Sequence, residues 1–295
     1  MTNKTELRKP KWLTSSKVGS KRACQVTKYL RDYNLNTVCE DAKCPNRGEC
    51  FDNGTATFMI LGETCTRNCT FCAVDKTRGN LLPADLDEPQ AIAELSAKLG
   101  LKHLVVTTVT RDDLPDGGAS QFVKVIHEVR KQCSDDVSIE VLISDLEGNL
   151  DDLHSVVAAG PDVLNHNIET VARLYDSVRP MANYQQSLNV LKQAKEIDSG
   201  ILTKSGFMVG LGESQDEVLE LMRDLRQADV NILTIGQYLM PSRKHFQVVE
   251  YVHPDVFEFY RIEGEKMGFD IVESSPLVRS SYHAEKARKL LRKRG

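Results

Sequence analysis

The chain has 295 residues, 41% of them hydrophobic and 27% charged, with a formal net charge of -4. That is enough apolar material for a sizeable core, and the near-neutral balance gives no argument for a nucleic-acid partner. No run of about 18 apolar residues occurs, so no membrane-spanning helix is expected. The basic start, MTNKTELRKPKWLTSSKVGSKR, has no apolar stretch after it, which makes a cytoplasmic location the expectation.

Residues 1–54 are polar, cysteine-rich and irregular, with NRGEC and DNGT as turn signals. From residue 55 strand-like and helix-like segments alternate. The candidate strands are TFMIL (57–61), KHLVVTTV (102–109), VSIEVLIS (137–144), DVLNHNI (162–168), ILTKSGFMVG (201–210) and NILTIGQYL (231–239). Between them, Phe122, Val125, Ile126 and Val129 make one helical stripe, and Val218, Leu221, Met222 and Leu225 another.

Such alternation implies a parallel sheet with right-handed crossovers. Six units fall two short of a closed eight-stranded barrel. The expected fold class is therefore α/β: a partial (β/α)6 TIM-like barrel over 55–270, with an N-terminal cysteine-rich extension (1–54) and a C-terminal extension (271–295). Functional groups should gather at the C-terminal ends of the strands. The basic tail HAEKARKLLRKRG (283–295) reads as a solvated helix end.

Six of the eight cysteines form two triplets. Cys65, Cys69 and Cys72, in CTRNCTFC, are spaced C-x3-C-x2-C directly after the first strand. Cys39, Cys44 and Cys50, in CEDAKCPNRGEC, are spaced C-x4-C-x5-C. Disulfide frameworks belong mostly to small secreted domains, so metal is the better reading for this long chain. Thiolates select zinc, copper(I) or iron–sulfur clusters. Structural zinc wants four protein ligands, whereas three cysteines without a nearby fourth suit a cubane with one open iron. A zinc knuckle for the upstream triplet and a redox pair within CTFC stay open on spacing alone. Cys24 and Cys133 stand apart and read as structural.

CTRNCTFC resembles the signature of the radical S-adenosylmethionine (SAM) superfamily. The resemblance implies a [4Fe-4S] cluster whose open iron chelates SAM, with Phe71 near the adenine. The two triplets together with RSSYHA (279–284) resemble the lipoyl synthase family over nearly the whole chain. That likeness implies an auxiliary [4Fe-4S] cluster on Cys39, Cys44 and Cys50, with a serine of RSSY as fourth ligand. Family knowledge places it at Ser281, although sequence alone does not exclude Ser280. In an extended segment the two side chains would point opposite ways. The implied activity is insertion of two sulfur atoms at C6 and C8 of a protein-bound octanoyl-lysine group, each costing one SAM. The implied partners are octanoylated lipoyl carrier domains (2-oxoacid dehydrogenase E2 subunits and the glycine cleavage H protein). An electron donor such as flavodoxin or ferredoxin is implied too.

Unactivated methylene and methyl carbons offer neither an acidic proton nor a leaving group, so no acid–base pair is expected here, and the difficult chemistry belongs to the cofactor. Three strand-end segments are expected to face SAM: TTVTRDDLPDGGA (107–119) at its methionine end, and NHNIET (165–170) and FMVGLGES (207–214) at its ribose and carboxylate. Gly210 and Gly212 alone make no dinucleotide or phosphate loop. GQYLMPSRKHFQVVEYVHP (236–254), with Arg243, His245 and Tyr251, fits the substrate side. A two-cluster electron carrier would share the six cysteines but has no use for the barrel.

Overall fold

The β-branched, apolar runs after the cysteine-rich start form the parallel sheet that their alternation predicts. The computed structural model describes residues 8–13, 21–41, 44, 46–77, 81–134, 136–282 and 284–294. Most of the basic N-terminal run and His283 of RSSYHA thus lie outside the described residues.

Helices α1 (Lys21–Asp32), α2 (Val38–Asp41) and α3 (Arg47–Asp52) precede β1 (Thr55–Ile60). Then come α4 (Glu88–Leu99), β2 (His103–Thr108), α5 (Ala119–Gln132), β3 (Ser138–Leu142), α6 (Leu150–Ala158) and β4 (Val163–Asn165). After these follow α7 (Tyr175–Val178), α8 (Tyr184–Ile197), β5 (Leu202–Val209), α9 (Gln215–Gln227) and β6 (Ile232–Gln237). The last three are α10 (Pro254–Lys266), β7 (Ile271–Ser274) and α11 (Glu285–Arg294).

The sheet runs in chain order from β1 to β7, every pair parallel, and β1 and β7 are not paired with each other. The α/β class and the open barrel expected from the alternation are therefore present, with one strand more than six. β7 lies past residue 270, where the sequence reading ended the barrel. The stripes on α5 and α9 are fully buried: Phe122, Val125, Ile126, Val129, Val218 and Met222 at 0%, Leu221 at 1% and Leu225 at 0% exposure.

Both extensions serve the barrel's openings. At the free edge of β1, Met59 N donates to Asn36 O at 2.9 Å, so the N-terminal segment covers unpaired backbone. The C-terminal tail is not a solvated end. Ala287 is buried, and Leu290 and Leu291 pack with it against Val163, Leu202 and Ile232 at the starts of β4, β5 and β6. α11 thus forms a floor at the barrel's N-terminal face.

Above that floor lies a buried polar layer. Lys204 Nζ donates to both Glu140 oxygens at 2.9 and 3.0 Å, and Asn165 Nδ2 reaches Oε1 at 2.9 Å. Burial alone would raise the Glu140 pKa, but Lys204 and His103 hold it down at about 2. Among the described residues no helix is long and apolar enough to cross a membrane.

Candidate active site

At the other end of the barrel, the C-terminal ends of the strands surround a cavity of about 800 Å³. Cys39, Cys44, Cys50, Cys65, Cys69, Cys72, Phe71, Ser280 and Ser281 all border it. Residues far apart in sequence thus share one space. No three His, Cys, Asp or Glu side chains converge tightly enough for a single metal ion among the described residues. Cys24 is exposed, and Cys133 points its thiol at Ala93 O at 3.6 Å; neither borders the cavity.

The loop carrying Cys65, Cys69 and Cys72 follows β1 and is tied down on every side. Cys65 N donates to Asp75 O at 2.8 Å, Thr66 N to Thr110 O at 2.9 Å, and Thr70 N to Val178 O at 3.0 Å. Arg67, only 6% exposed, reaches both oxygens of Asp112 at 2.9 Å and both oxygens of Asp145 at 2.9 and 2.6 Å. From the segment after β6, Phe246 N donates to Thr70 O at 2.9 Å, and His245 Nε2 meets Cys72 O at 3.1 Å. A carbonyl only accepts, so Nε2 carries the proton, and Nδ1 accepts from Ser242 Oγ at 2.8 Å.

The upstream triplet sits on short helices. Cys39 lies in α2 and Cys50 in α3, while Cys44 N donates to Cys39 O at 3.1 Å. Thr37 Oγ1 ties this segment to Thr57 O at 2.6 Å. The RSSY run meets it from the C-terminal side: Asn46 Nδ2 donates to Leu277 O at 2.7 Å, and Tyr282 Oη to Glu49 at 3.5 Å. Gly236 on β6 makes this approach possible, because a Cβ there would stand 2.3 Å from Val278 O.

Residues 280–282 form a turn rather than an extended segment, with Tyr282 N donating to Arg279 O at 2.8 Å. Both serines therefore reach the cavity, contrary to the opposite-sides expectation. They differ in their partners. Asn167 Nδ2 donates to Ser280 Oγ at 2.7 Å, whereas the Ser281 hydroxyl makes no hydrogen bond among the described residues.

The SAM-side segments divide. From NHNIET, His166, Asn167 and Glu169 border the cavity. His166 Nδ1 lies 3.0 Å from Ile143 O, and its Nε2 is buried without a partner among the described residues, as are Asn167 Oδ1 and Arg179 Nε. Burial, with Arg179 nearby, pushes the His166 pKa down to about 4, so Nε2 offers a lone pair at neutral pH. Glu169 adopts a left-handed φ of 67°, strained for a glutamate, and burial raises its pKa.

By contrast, the glycine loops do not reach the cavity. Gly118 begins α5, and the GLGES loop is closed on itself by Glu213, which accepts from Gly210 N at 2.6 Å and Leu211 N at 2.9 Å. The same two segments border it through their first residues instead, Thr107 to Thr110 of TTVTRDDLPDGGA and Phe207 and Met208 of FMVGLGES, with Gly206 beside them. Of the three residues singled out after β6, His245 borders it, and Arg243 and Tyr251 do not.

A model of the Radical SAM superfamily matches residues 59–225. The lipoyl synthase of Caldanaerobacter subterraneus subsp. tengcongensis is 56% identical over 279 residues, covering 95% of this chain and 96% of that protein. That of Alkaliphilus metalliredigens is 52% identical, with 95% and 96% covered. Among solved structures, methylornithine synthase shares the fold, with a TM-score of 0.57 at 15% identity over 85% of this chain and 82% of that one. The chain belongs to the lipoyl synthase family. It is a radical SAM enzyme, and the family's cofactors are two [4Fe-4S] clusters and SAM.

The residues present fit those groups. Iron–sulfur clusters take thiolate donors, and the cavity provides six thiols, with the Ser281 hydroxyl beside them making no hydrogen bond among the described residues. Burial pushes the Cys39 and Cys72 thiols up to about 11 and also raises Cys69, so any cluster held there would have to displace their protons. The Arg279 guanidinium borders the same space and interacts with Cys44, as suits an anionic occupant. The orphaned His166 Nε2 and Asn167 Oδ1 at the end of β4, with Arg179 Nε just past α7, suit a polar cofactor. Lys76, Arg67, Arg179 and Arg279 escaped the sequence reading. The arginine inside CTRNC and the one opening RSSY were visible signals, but their partners are distant in sequence.

Proposed function

We propose that Cys65, Cys69 and Cys72 hold the cluster that binds SAM, and that Cys39, Cys44, Cys50 and Ser281 hold a second, sacrificial one. The activity is insertion of two sulfur atoms at C6 and C8 of a protein-bound octanoyl-lysine group, giving the lipoyl cofactor. When bound, the SAM-chelating cluster supplies one electron for a 5′-deoxyadenosyl radical that abstracts hydrogen, and the auxiliary cluster supplies the sulfur.

What supports the division is the shared cavity, bordered by both triplets and by Ser281. A carbon radical survives only where sulfur is within bonding reach and stray donors are excluded. Phe207, Met208, Tyr238, Leu239, Met240 and Val278 give that space an apolar wall for an alkyl chain. Phe71 stands ready for the adenine, and the unpartnered polar atoms of His166, Asn167 and Arg179 for the rest of SAM. The hydrogen bond from Asn167 occupies Ser280 and leaves Ser281 available as a ligand. An oxygen ligand on soft iron is shed more readily than a thiolate, which suits a cluster that must be dismantled.

The enzyme acts on lipoyl carrier proteins and needs an electron donor. The finer assignments are octanoylated E2 subunits of 2-oxoacid dehydrogenases and the glycine cleavage H protein, with flavodoxin or ferredoxin as donor, in the cytoplasm. We take residues 1–54 and, within 271–295, the tail beyond β7 as extensions that bring the second set of ligands to the barrel. The test is anaerobic reconstitution with iron and sulfide, followed by an octanoyl-lysine peptide, SAM and reductant. Formation of 5′-deoxyadenosine together with a doubly thiolated peptide is expected; deoxyadenosine without thiolation at full iron loading refutes the sulfur-donor assignment.

A further inference from the structure

The loop bearing Cys65, Cys69 and Cys72 contains a second cation besides Arg67. Lys76 lies just past Cys72, borders the cavity, and is partly buried. Its Nζ donates to Cys69 O at 2.7 Å and to Cys72 O at 3.0 Å. The charges of the two cations are answered differently. Arg67 is met by two carboxylates, Asp112 and Asp145, and is neutralised where it stands. Lys76 forms no ion pair among the described residues. Its neighbour Asp75 turns Oδ1 instead onto Lys76 N, Thr77 N and Thr77 Oγ1. A full positive charge therefore rests on the backbone of two proposed ligands, answered only by carbonyl dipoles.

We propose that Lys76 tunes the SAM-binding cluster, its unanswered charge favouring the reduced state and easing delivery of the electron. One-electron reduction adds one negative charge to the cluster. A fixed cation in the partly desolvated wall stabilises that added charge more than the oxidised state, and raises the potential. Arg67 has less leverage, because its field is opposed by its own partners, Asp112 and Asp145; it positions the loop. The inference rests on the assignment of Cys65, Cys69 and Cys72 to the SAM-binding cluster.

The test is a redox titration of the reconstituted enzyme followed by electron paramagnetic resonance. The cluster in question is the one whose signal changes when SAM is added. Lys76→Met removes both charge and hydrogen bonds, Lys76→Gln keeps donors without charge, and Lys76→Arg keeps charge. Iron and sulfide contents establish loading in each. Met and Gln variants should make the SAM-sensitive cluster about tenfold harder to reduce, ~59 mV lower by the one-electron conversion. The Arg variant should stay near wild type, and the other cluster's potential should not move. A Gln variant at the wild-type potential would overturn the proposal, leaving Lys76 a hydrogen-bonding strap. Equal shifts of both clusters would overturn it too. If wild-type enzyme shows no SAM-sensitive signal, the cysteine assignment fails and this inference with it; a SAM-sensitive signal that no variant shifts defeats this inference alone.

Discussion

The two cysteine triplets border one cavity but are built on different supports. Cys65, Cys69 and Cys72 stand on a barrel loop bonded to the segments that follow β2, β4 and β6, with the buried Arg67 gripping Asp112 and Asp145. Cys39, Cys44 and Cys50 stand on two short helices outside the barrel, joined to the RSSY turn by Asn46 and Tyr282. The difference matches the proposed roles. A cluster that fires repeatedly needs a fixed geometry toward its cofactor, whereas one that gives up sulfur must be reached, broken and rebuilt.

The comparison breaks most severely at Cys69. Cys69→Ala removes a thiolate from a cluster that already has an open iron, so SAM cleavage and all thiolation should vanish. Normal 5′-deoxyadenosine yield from this variant, measured by chromatography after reduction, would sink the radical assignment. Cys44→Ala should be narrower in effect: deoxyadenosine persists while thiolated product disappears. Loss of both activities with the fold intact, checked by circular dichroism, would mean that the upstream segment also shapes the SAM site.

Ser281 sharpens the contrast at the level of one ligand. Ser281→Cys substitutes a bond that soft iron holds more tightly, so iron should load fully while little or no doubly thiolated product forms. Ser280→Ala loses only the hydrogen bond from Asn167 and should be milder. Mass spectrometry of the peptide product separates these outcomes, and a larger loss from Ser280→Ala than from Ser281→Ala would reverse the assignment of the two serines.

Much of the architecture was legible because periodicity is a local property. The stripes Phe122–Val129 and Val218–Leu225 announced α5 and α9, and six strands were visible as β-branched runs. β7 was not, since IVES is short and half-exposed at the sheet edge. α11 was misjudged because its basic residues hide the spacing of Ala287, Leu290 and Leu291, which pack against the barrel floor. The cysteine motifs were legible because ligand spacing is written along the chain. FMVGLGES was legible only in part: Phe207 and Met208 border the cavity, whereas Glu213 satisfies the Gly210 and Leu211 amides itself, and only the folded backbone reveals that. Likewise, the partners of Arg67 lie beyond β2 and β3, so no local pattern distinguishes its answered charge from the unanswered charge of Lys76.

The two supports should also differ in how much stability they contribute. Arg67→Met strands buried Asp145 (1% exposed) without its cation, and breaking such a pair costs about 3–5 kcal/mol. Asn46→Ala loses one neutral hydrogen bond to Leu277 O and should cost about 1 kcal/mol. Denaturant unfolding of the two variants against wild type measures both. The larger penalty should also depend on pH. In the native protein burial works to raise the Asp145 pKa, but Arg67 overrides it and holds the value below the ordinary range. A depressed carboxylate stabilises the fold above its unfolded pKa, and that contribution drains away as pH falls through the folded value. Without Arg67, burial is opposed only by the weaker pull of His166 and the Glu147 amide, and Asp145 accepts its proton earlier, which relieves the stranded charge. The Arg67→Met penalty should therefore be full at neutral pH and shrink as pH drops toward and below about 4, near the unfolded aspartate value. Asn46→Ala has no titrating partner, so its smaller cost should stay level over the same range. A penalty for Arg67→Met that is equally flat, or no larger than that of Asn46→Ala, would mean that the radical loop is held by its backbone bonds alone.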